Sequence, residues 1–531
     1  MYFGLFRLSK LFRSVSVVSG ATFLSRIVGF TRDIVCASIF GAHFGFDAFL
    51  VAFKIPNFMR RLFAEGAFSQ AFVPVLSEHY ANNKEEETLA LIDNIFGILL
   101  LVVSVIVVIG FFIAPYIVLV FAPGYVGDLA RYTLTVEMLR ITFPYLLFIS
   151  LIAMLSGIYN CRQHFFMPSF SPIILSTCSI CTALLSQLYD NSVKFLAWGV
   201  IVAGVLQLLF LLKGMQKFQR LPRPKIDFAD KGVRSIMKLM SAALFGVSVV
   251  QIGLMIETFL ASFLPGGSIS WLYYAERLIQ LPLALIAIAV STVILPHLSK
   301  NHSEGDGSAF NKNFEWSLTV IVSLSLPAAV GMFCLVKPIL ITLFYHGNFT
   351  LFDVVMTSYS LKALAFGLPA FMLIKVAVSA FYARRNIKTP VKIAALSLIV
   401  DIGLSLLFLP TLKHAGLSLA VSFSAWVNGI SLLYILLSDK VYKPSAKMMN
   451  IIFSCLISVL VMYASLTILI PSESYWVACT PMLRAMLLVS FIVFGVGVYT
   501  VILKIFGFSF TELKSSLSDV EDDSFIEKIT G

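Results

Sequence analysis

Residues 25–77 read SRIVGFTRDIVCASIFGAHFGFDAFLVAFKIPNFMRRLFAEGAFSQAFVPVLS, an apolar background long enough to cross a bilayer but interrupted by charges. On insertion scales a charge at the centre of a transmembrane helix costs about 3 kcal/mol, so such side chains usually face a water-filled cavity or one another. Because five of the eight charges are basic, the stretch predicts a membrane protein that holds an anionic ligand in its interior. The charged residues are Arg26, Arg32, Asp33, Asp47, Lys54, Arg60, Arg61 and Glu65.

The composition of the whole chain agrees with a membrane protein. Of its 531 residues, 59% are hydrophobic and 13% are charged, whereas about 25% of the residues of a soluble domain are charged. The net charge of +11 does not indicate a nucleic-acid partner, because the basic residues lie in short loops between apolar runs. Cys178 and Cys181 form a CxxC pair inside an apolar segment with no second pair nearby. They are expected to pack between helices, and no metal site is predicted.

The apolar runs predict an all-α polytopic membrane protein with about fourteen transmembrane helices, each of about 20 mainly apolar residues. If the N-terminus is cytoplasmic, 27 of the 39 basic residues fall in cytoplasmic segments and only four fall in the opposite loops, among them Arg131 and Lys194. This asymmetry predicts that both termini are cytoplasmic. The predicted spans are 14–33, 36–63, 90–121, 133–159, 168–188, 194–214, 236–264, 270–297, 314–344, 354–382, 390–410, 414–437, 448–470 and 481–505.

An internal repeat organises these spans. Three segments recur in order at offsets of 222 or 223: FVPVLS (72–77) as ILPHLS (294–299), FAPG (121–124) as FYHG (344–347), and 159–168 as 382–390. Parallel repeats of this kind are a transporter architecture, with the substrate bound between halves that alternate in access. The predicted divisions are a six-helix lobe at 12–218, a basic cytoplasmic connector at 219–233, a second six-helix lobe at 234–440, two extra helices at 441–507 and an acidic cytoplasmic tail at 508–531.

Arginines from both lobes are the main candidates for ligand binding. Arg26 and Arg32 lie in the first predicted span, and Arg277, next to Glu276, lies in the eighth. A guanidinium forms paired hydrogen bonds with phosphate oxygens and stays charged when partly desolvated, so several of them would suit a diphosphate. The alternative is that these arginines form structural ion pairs with nearby acidic residues, which are Asp33, Asp47, Glu65 and Glu276.

Other charged residues in the spans have weaker assignments. Arg60 and Arg61 suit either a cytoplasmic binding site or interfacial anchoring. Lys54, near Pro56, is a candidate for support or gating, and Glu65-Gly66 suits a gate that needs a sharp bend. Glu137 and Arg140, three residues apart on one helix, are expected to pair with each other. Lys375 is expected to face the cavity and Lys362 to lean towards an interface. Asp401 and the weaker candidate Glu257 are possible sites for a coupling sodium ion or proton.

Several stretches resemble the MurJ (MviN) family of bacterial lipid II flippases, in the multidrug/oligosaccharidyl-lipid/polysaccharide exporter superfamily. The matching stretches are SRIVGFTRD (25–33), residues 46–78, LYYAERLIQLP (272–282), GNFT (347–350) and YARRNIKTPVKIA (382–394). The resemblance implies that the family's central arginines fall on Arg26, Arg32 and Arg277, with Arg60 on the cytoplasmic side. It also implies that its acidic and polar positions fall on Ser25, Asp33, Asp47 and Glu65.

The resemblance further implies that the last two helices line a groove for a lipid tail. Some members have a sodium site on helices seven and eleven, which Glu257 and Asp401 match only loosely. The expected activity is the movement of lipid II, a lipid-linked peptidoglycan precursor, from the cytoplasmic to the periplasmic leaflet of the inner membrane by alternating access, with help from the membrane potential. Expected partners are lipid II, membrane lipids and the cell-wall synthesis machinery.

Alternative functions remain open at this point. The chain contains no HExxH, P-loop or GxSxG motif, so no enzymatic activity and no cofactor beyond a coupling cation are expected. One alternative is an exporter of the same superfamily with another cargo, a polyprenyl-linked glycan or a drug, although a drug cavity would favour acidic residues. Another is a non-transporting scaffold for cell-wall assembly, which would not need arginines from both lobes.

Overall fold

The computed structural model describes residues 2–61, 68–81, 85–190 and 192–508, with side-chain surroundings for these residues except 2–19, 242–251 and Leu254. In this part of the chain every regular element is helical, as predicted. A 3₁₀ turn covers Pro123–Gly127 and a π-helical turn covers Leu283–Ile288. The α-helices are α1 (Tyr2–Phe40), α2 (Phe44–Met59), α3 (Ser69–Ala81), α4 (Glu85–Phe121), α5 (Leu129–Thr142), α6 (Tyr145–Cys161), α7 (Phe166–Ser186), α8 (Lys194–Met215), α9 (Lys231–Ala261), α10 (Ser268–Pro282), α11 (Ala289–Glu304), α12 (Gly307–Cys334), α13 (Val336–Leu343), α14 (Leu351–Ala383), α15 (Lys388–Ser438), α16 (Ala446–Leu469), α17 (Glu473–Ala478) and α18 (Pro481–Ile505).

Ten helical segments among the described residues are long and apolar enough to cross a membrane, so the chain is a multi-pass membrane protein. This number does not confirm the predicted fourteen. One of the ten, α15, contains a kink at Lys413 (φ 50°, ψ −130°), between the predicted spans 390–410 and 414–437. Charge-rich α1 and α9 and the short α2 are not among the ten, although each lies on a predicted span.

The boundary between the first two predicted spans is wrong. The prediction ends the first span at 33 and begins the second at 36, whereas α1 continues without a break to Phe40. Gly41 then turns the chain with a φ of +62°. No residue from 33 to 40 is a glycine or proline, so nothing interrupts the helix before a residue that readily adopts the left-handed conformation.

The chain folds as two compact units: unit 1 contains Met1–Ser270 with His346–Phe349, and unit 2 contains Trp271–Tyr345 with Thr350–Gly531. Helix α9, which the repeat assigns to the second lobe, packs against α3 and α4 inside unit 1. The packing boundary therefore falls later in the sequence than the repeat boundary at 219–233. The lobes defined by the repeat stay a prediction about internal symmetry.

Small residues bring the helices of each unit close together, as is common where helices associate in membranes. In unit 1 a Cβ at Gly199 of α8 would lie 2.3 Å from Thr182 Oγ1 of α7. In unit 2 a Cβ at Gly367 of α14 would lie 2.5 Å from Ser422 Oγ of α15. The hydroxyl of Tyr499 on α18 donates to the carbonyl oxygen of Ser323 at 2.9 Å, so the extra C-terminal helices are anchored on α12.

The predicted connector lies along α4. The buried carboxylate of Asp93 accepts two bonds from Arg220, at 3.1 and 2.8 Å, and one from the backbone N–H of Arg223 at 2.8 Å. Hydrogen bonding to Asp93 also raises the pKa of Arg220. A Cβ at Gly97 would lie 2.0 Å from the carbonyl oxygen of Lys225, so only glycine allows this close approach.

Candidate functional site

The predicted binding residues of α1 differ in their environments. Arg26 is exposed and Ser25 is half-buried. Over the described residues, Arg26 forms neither a hydrogen bond nor an ion pair. Glu65, one of the acidic partners of its alternative structural role, lies outside these residues, so that alternative stays a prediction. One face of α1 packs on α7, where a Cβ at Gly29 would lie 3.7 Å from Ser176 Oγ.

Arg32, in contrast, forms an ion pair with its neighbour Asp33. The Nε and Nη2 atoms of Arg32 donate to Asp33 Oδ1 at 3.0 and 2.7 Å. The two side chains are only 15% and 3% exposed. Because an arginine side chain has five N–H donors, this pairing uses part of its capacity and orients the guanidinium.

The basic residues at the end of α2 lie next to a segment outside the described residues. Lys54 is half-buried and Arg61 is exposed. Arg60 Nε donates to Asn57 Oδ1 at 2.8 Å, across one helical turn. The gate predicted at Glu65 and Gly66 lies in the segment that the structure does not describe.

In unit 2, Arg277 is held by residues of its own helix α10. Its Nη2 donates to Tyr273 Oη at 3.2 Å, and its guanidinium lies 4.9 Å from the centre of the same ring. Its Nη1 contacts Gln280 Oε1 at 3.4 Å. These partners lie four residues before and three residues after Arg277, positions that adjoin it on a helix. Glu276 is half-buried, and the predicted convergence of Arg277 with the arginines of unit 1 stays a prediction.

The remaining candidates are dispersed. Lys375 is exposed on α14, Asp401 is half-buried on α15, and Glu257 is half-buried on α9. The hydroxyl of Ser397, one helical turn from Asp401, donates to the carbonyl oxygen of Ser424 at 2.9 Å. No group of three metal-ligating side chains occurs among the described residues, and ion coupling at Asp401 or Glu257 stays a prediction.

Asp47 is the centre of a buried polar cluster in unit 1. Its side chain has no exposed surface, and its Oδ2 accepts from Arg131 Nη2 at 2.9 Å and from the backbone N–H of Gly267 at 2.7 Å. Its Oδ1 accepts from the backbone N–H and the hydroxyl of Ser270 at 2.8 and 2.5 Å. Arg131 also donates to the carbonyl oxygen of Leu264 at 3.2 Å. The cluster therefore ties α2 and α5 to residues 264–270.

Arg131 was not predicted to belong to this cluster. The sequence places Arg131 in a predicted loop, whereas its side chain is 5% exposed and lies 3.9 Å from the ring centre of Tyr125. The sequence did contain one signal, since a buried Asp47 needs a basic partner. A separate buried contact lies inside unit 2, where Trp271 Nε1 donates to Asp353 Oδ1 at 2.9 Å.

A second anchor in unit 1 joins the end of α1 to residues 346–349. The backbone N–H of Asn348 donates to the carbonyl oxygen of Ser38 at 2.7 Å. The side-chain amide of Asn348 donates to the carbonyl oxygen of Ile39 at 2.6 Å. These bonds satisfy carbonyl groups that the end of a helix leaves unpaired. Gly41 and Gly347 both have positive φ angles, and a Cβ on either would lie within 2.4 Å of backbone oxygen.

The predicted pair between Glu137 and Arg140 does not form. Glu137 instead pairs with Lys194 at the start of α8, at 2.7 Å, with both side chains nearly half exposed. Arg140 donates to the carbonyl oxygen of Phe111 on α4 at 3.3 Å and lies over its ring. The neighbouring helices supply these partners, which spacing along one helix cannot reveal.

Comparison with known proteins gives a consistent result over most of the chain. A family model described as "Lipid II flippase MurJ" matches residues 36–490. This range contains Asp47, Arg60 and Arg277 but begins after Arg26 and Arg32. The "Probable lipid II flippase MurJ" of Haemophilus influenzae is 40% identical over 500 residues, which are 92% of this chain and 98% of that protein.

Solved structures show the same similarity. The chain matches "Lipid II flippase MurJ, inward closed conformation" with a TM-score of 0.77 and 29% identity, over 92% of this chain and 98% of the other. It also matches an inward-facing multidrug resistance MATE family transporter of the MOP superfamily with a TM-score of 0.64 and 15% identity, over 79% and 96% of the two chains. At that identity the second match concerns the fold alone.

Proposed function

Since this chain belongs to the lipid II flippase MurJ family, we propose that it moves lipid II from the cytoplasmic to the periplasmic leaflet of the bacterial inner membrane. The observation that carries this proposal is the 40% identity to a flippase relative across 92% of the chain. Transport of this kind makes and breaks no covalent bond, so the proposed role is that of a transporter and not of an enzyme. Alternating access between two states is the mechanism expected for parallel repeats.

The arginines are proposed to bind the diphosphate of lipid II. Its two phosphates carry the negative charge that paired guanidinium hydrogen bonds recognise. Arg26 supports this role because it is exposed on an otherwise apolar helix and forms no ion pair within the described residues. We assign the same role to Arg32, Arg60 and Arg277, each of which is half-buried and oriented by a neighbouring side chain.

The remaining charged residues are proposed to support binding or gating. Asp47 is best explained as a positioning residue, because its carboxylate is buried and already accepts four hydrogen bonds. Its contribution would be to hold the unit 1 scaffold around it. Seven further residues are proposed to support substrate binding or gating: Ser25, Asp33, Lys54, Arg61, Glu65, Glu276 and Lys375.

Energy for transport is proposed to come in part from the membrane potential. One net charge that crosses a potential of 100 mV contributes about 2.3 kcal/mol. Asp401 and Glu257, both half-buried carboxylates, are the candidates for a coupling sodium ion or proton. With cytoplasmic termini, as the basic residues predict, the connector at 219–233 would face the cytoplasm, where the enzymes that make lipid II would be partners.

A complementation experiment tests the proposal. A bacterium depleted of its own lipid II flippase would receive the wild-type chain, Arg26→Ala, Arg277→Ala, or the control Arg234→Ala, which alters an exposed arginine of α9. Membrane abundance and the fraction of lipid II accessible from the periplasm would be measured beside growth. We expect growth with wild type and control, and lysis with lipid II retained inside for the two site variants.

Two results would contradict this reading. If an abundant wild-type chain leaves lipid II on the cytoplasmic side, the cargo is a different molecule. If both arginine variants restore growth and lipid II exposure fully, these arginines are structural or dispensable, and a scaffold without transport becomes the better explanation.

A further inference from the structure

A cavity in unit 2 contains cationic groups that the proposed function does not use. It has a volume of about 250 Å³ and lies between residues of α12, α13, α14, α16 and α17. Its wall combines apolar and aromatic surface with three charged side chains. The residues that matter here are Lys337, Lys362, Glu473, Phe333, Tyr463 and Trp476.

The cavity wall has an excess of one positive charge. Lys337 Nζ pairs with the carboxylate of Glu473, and these side chains are 38% and 26% exposed. Lys362 is half-buried, and its Nζ lies 5.5 Å from the centre of the Phe333 ring. Among the described residues no carboxylate pairs with Lys362. An aromatic face stabilises an ammonium group only in part, so an anion in this cavity would complete the site.

A second observation also indicates a ligand. Trp476 is 1% exposed, and its buried indole Nε1–H donates to no acceptor in the described structure. Buried donors without a partner are rare and need an explanation. Arg484 fixes this part of the wall, because it donates to the carbonyl oxygens of Trp476 and Val477 at 2.9 and 2.7 Å. The indole donor therefore belongs to a residue whose backbone is held in place.

We propose that this cavity binds the phosphodiester group of an anionic membrane phospholipid. Lys362 and Lys337 would contact the phosphate oxygens, and the indole N–H would donate to a further oxygen of the head group. Phe333 and Tyr463 of the wall, with neighbouring Ile468, are 39%, 42% and 81% exposed. They offer apolar surface on which acyl chains can lie.

Native mass spectrometry of the purified full-length chain tests this proposal. Phosphatidylglycerol and zwitterionic phosphatidylethanolamine of the same acyl composition would be titrated onto wild type, Lys362→Gln, Lys362→Arg and Trp476→Phe. The matched control is Lys504→Gln, which removes one positive charge at the exposed end of α18. Undecaprenyl phosphate and inorganic phosphate would be added as competitors, because they present phosphate from other sources.

We expect wild type to prefer phosphatidylglycerol and Lys362→Gln to lose about tenfold in affinity for it, the effect of one charge-assisted hydrogen bond. Lys362→Arg and Lys504→Gln should bind as wild type does, and Trp476→Phe, which keeps the ring but removes the N–H, should bind several-fold more weakly. Equal binding of the two phospholipids, or unchanged binding by both Lys362→Gln and Trp476→Phe, would overturn the proposal. Displacement of phosphatidylglycerol by undecaprenyl phosphate or by inorganic phosphate at equal concentration would also overturn it, because the site would then take phosphate from another source.

Discussion

Removal of the buried Asp47 carboxylate should destabilise unit 1 far more than removal of the exposed Asp128 carboxylate. In Asp47→Ala, the guanidinium of Arg131, which is 5% exposed, loses its only ion-pair partner among the described residues. The backbone N–H groups of Gly267 and Ser270 lose the acceptor that they now share. Breaking a buried ion pair from one side costs about 3 to 5 kcal/mol, and each buried N–H left without an acceptor costs about 1 to 3 kcal/mol.

Because Arg131 keeps its bond to Leu264 and its contact with Tyr125, and local relaxation can hydrate the freed N–H groups, we expect a net loss near the lower end of that sum, about 5 kcal/mol. The assay is reversible unfolding in mixed micelles, with Asp47→Ala, Arg131→Leu and the double variant compared in a double-mutant cycle. The coupling energy should exceed about 2 kcal/mol, since the two side chains are in direct contact.

The control is Asp128→Ala, which removes an exposed carboxylate that caps α5 through the backbone N–H of Arg131 at 3.1 Å. Loss of such a cap costs about 1 kcal/mol. If Asp47→Ala proved no more harmful than this control, or if the effects of Asp47→Ala and Arg131→Leu simply added, the reasoning about the buried cluster would be refuted.

Three further changes have expected outcomes. Gly41→Ala should lower the free energy of unfolding by more than about 2 kcal/mol in the same assay, because Gly41 has a φ of +62° and the new Cβ would lie 2.4 Å from a carbonyl oxygen. The control is Gly127→Ala, whose new Cβ would have no atom within 4 Å, and equal losses for the two variants would contradict the argument. Asp93→Asn should speed amide hydrogen exchange across 220–225 without affecting α18, because it weakens the bonds that hold the connector; unchanged exchange would contradict that role. Lys194→Gln should change stability by less than about 0.5 kcal/mol, because its ion pair is nearly half exposed, and a larger loss would show that the pair is stronger than its exposure suggests.

Much of the architecture was predictable because hydropathy and charge depend on local composition. The all-helical membrane fold, most helix positions and the family followed from apolar runs, the repeat and motifs such as residues 46–78. The end of the first helix was predicted wrongly because hydropathy does not fix the residue at which a helix ends. Backbone conformation decides that point, and Gly41 is the first residue that permits the turn.

The candidate site was predictable in its residue types but not in the state of each residue. Arg26 and Arg32 have the same side chain and lie in the same helix, yet within the described part of the chain only Arg32 pairs with a carboxylate. The partner of Arg32 is the next residue, Asp33, so the sequence itself offers that pair. The exposure of Arg26 depends instead on which face of α1 packs on α7, and residues far along the chain determine that packing.

By itself the sequence determined that this chain crosses the membrane repeatedly, that it concentrates arginines in apolar helices and that it belongs among lipid II flippases. Only the tertiary structure decided that Asp47 is a buried anchor, that Arg131 is its partner and that residues 346–349 close the end of α1. The physical reason is distance along the chain: Asp47 meets Arg131 across 84 residues and Gly267 across 220. Such contacts form only when the packing of whole helices brings buried polar groups together, and each group then needs a partner to offset the loss of water.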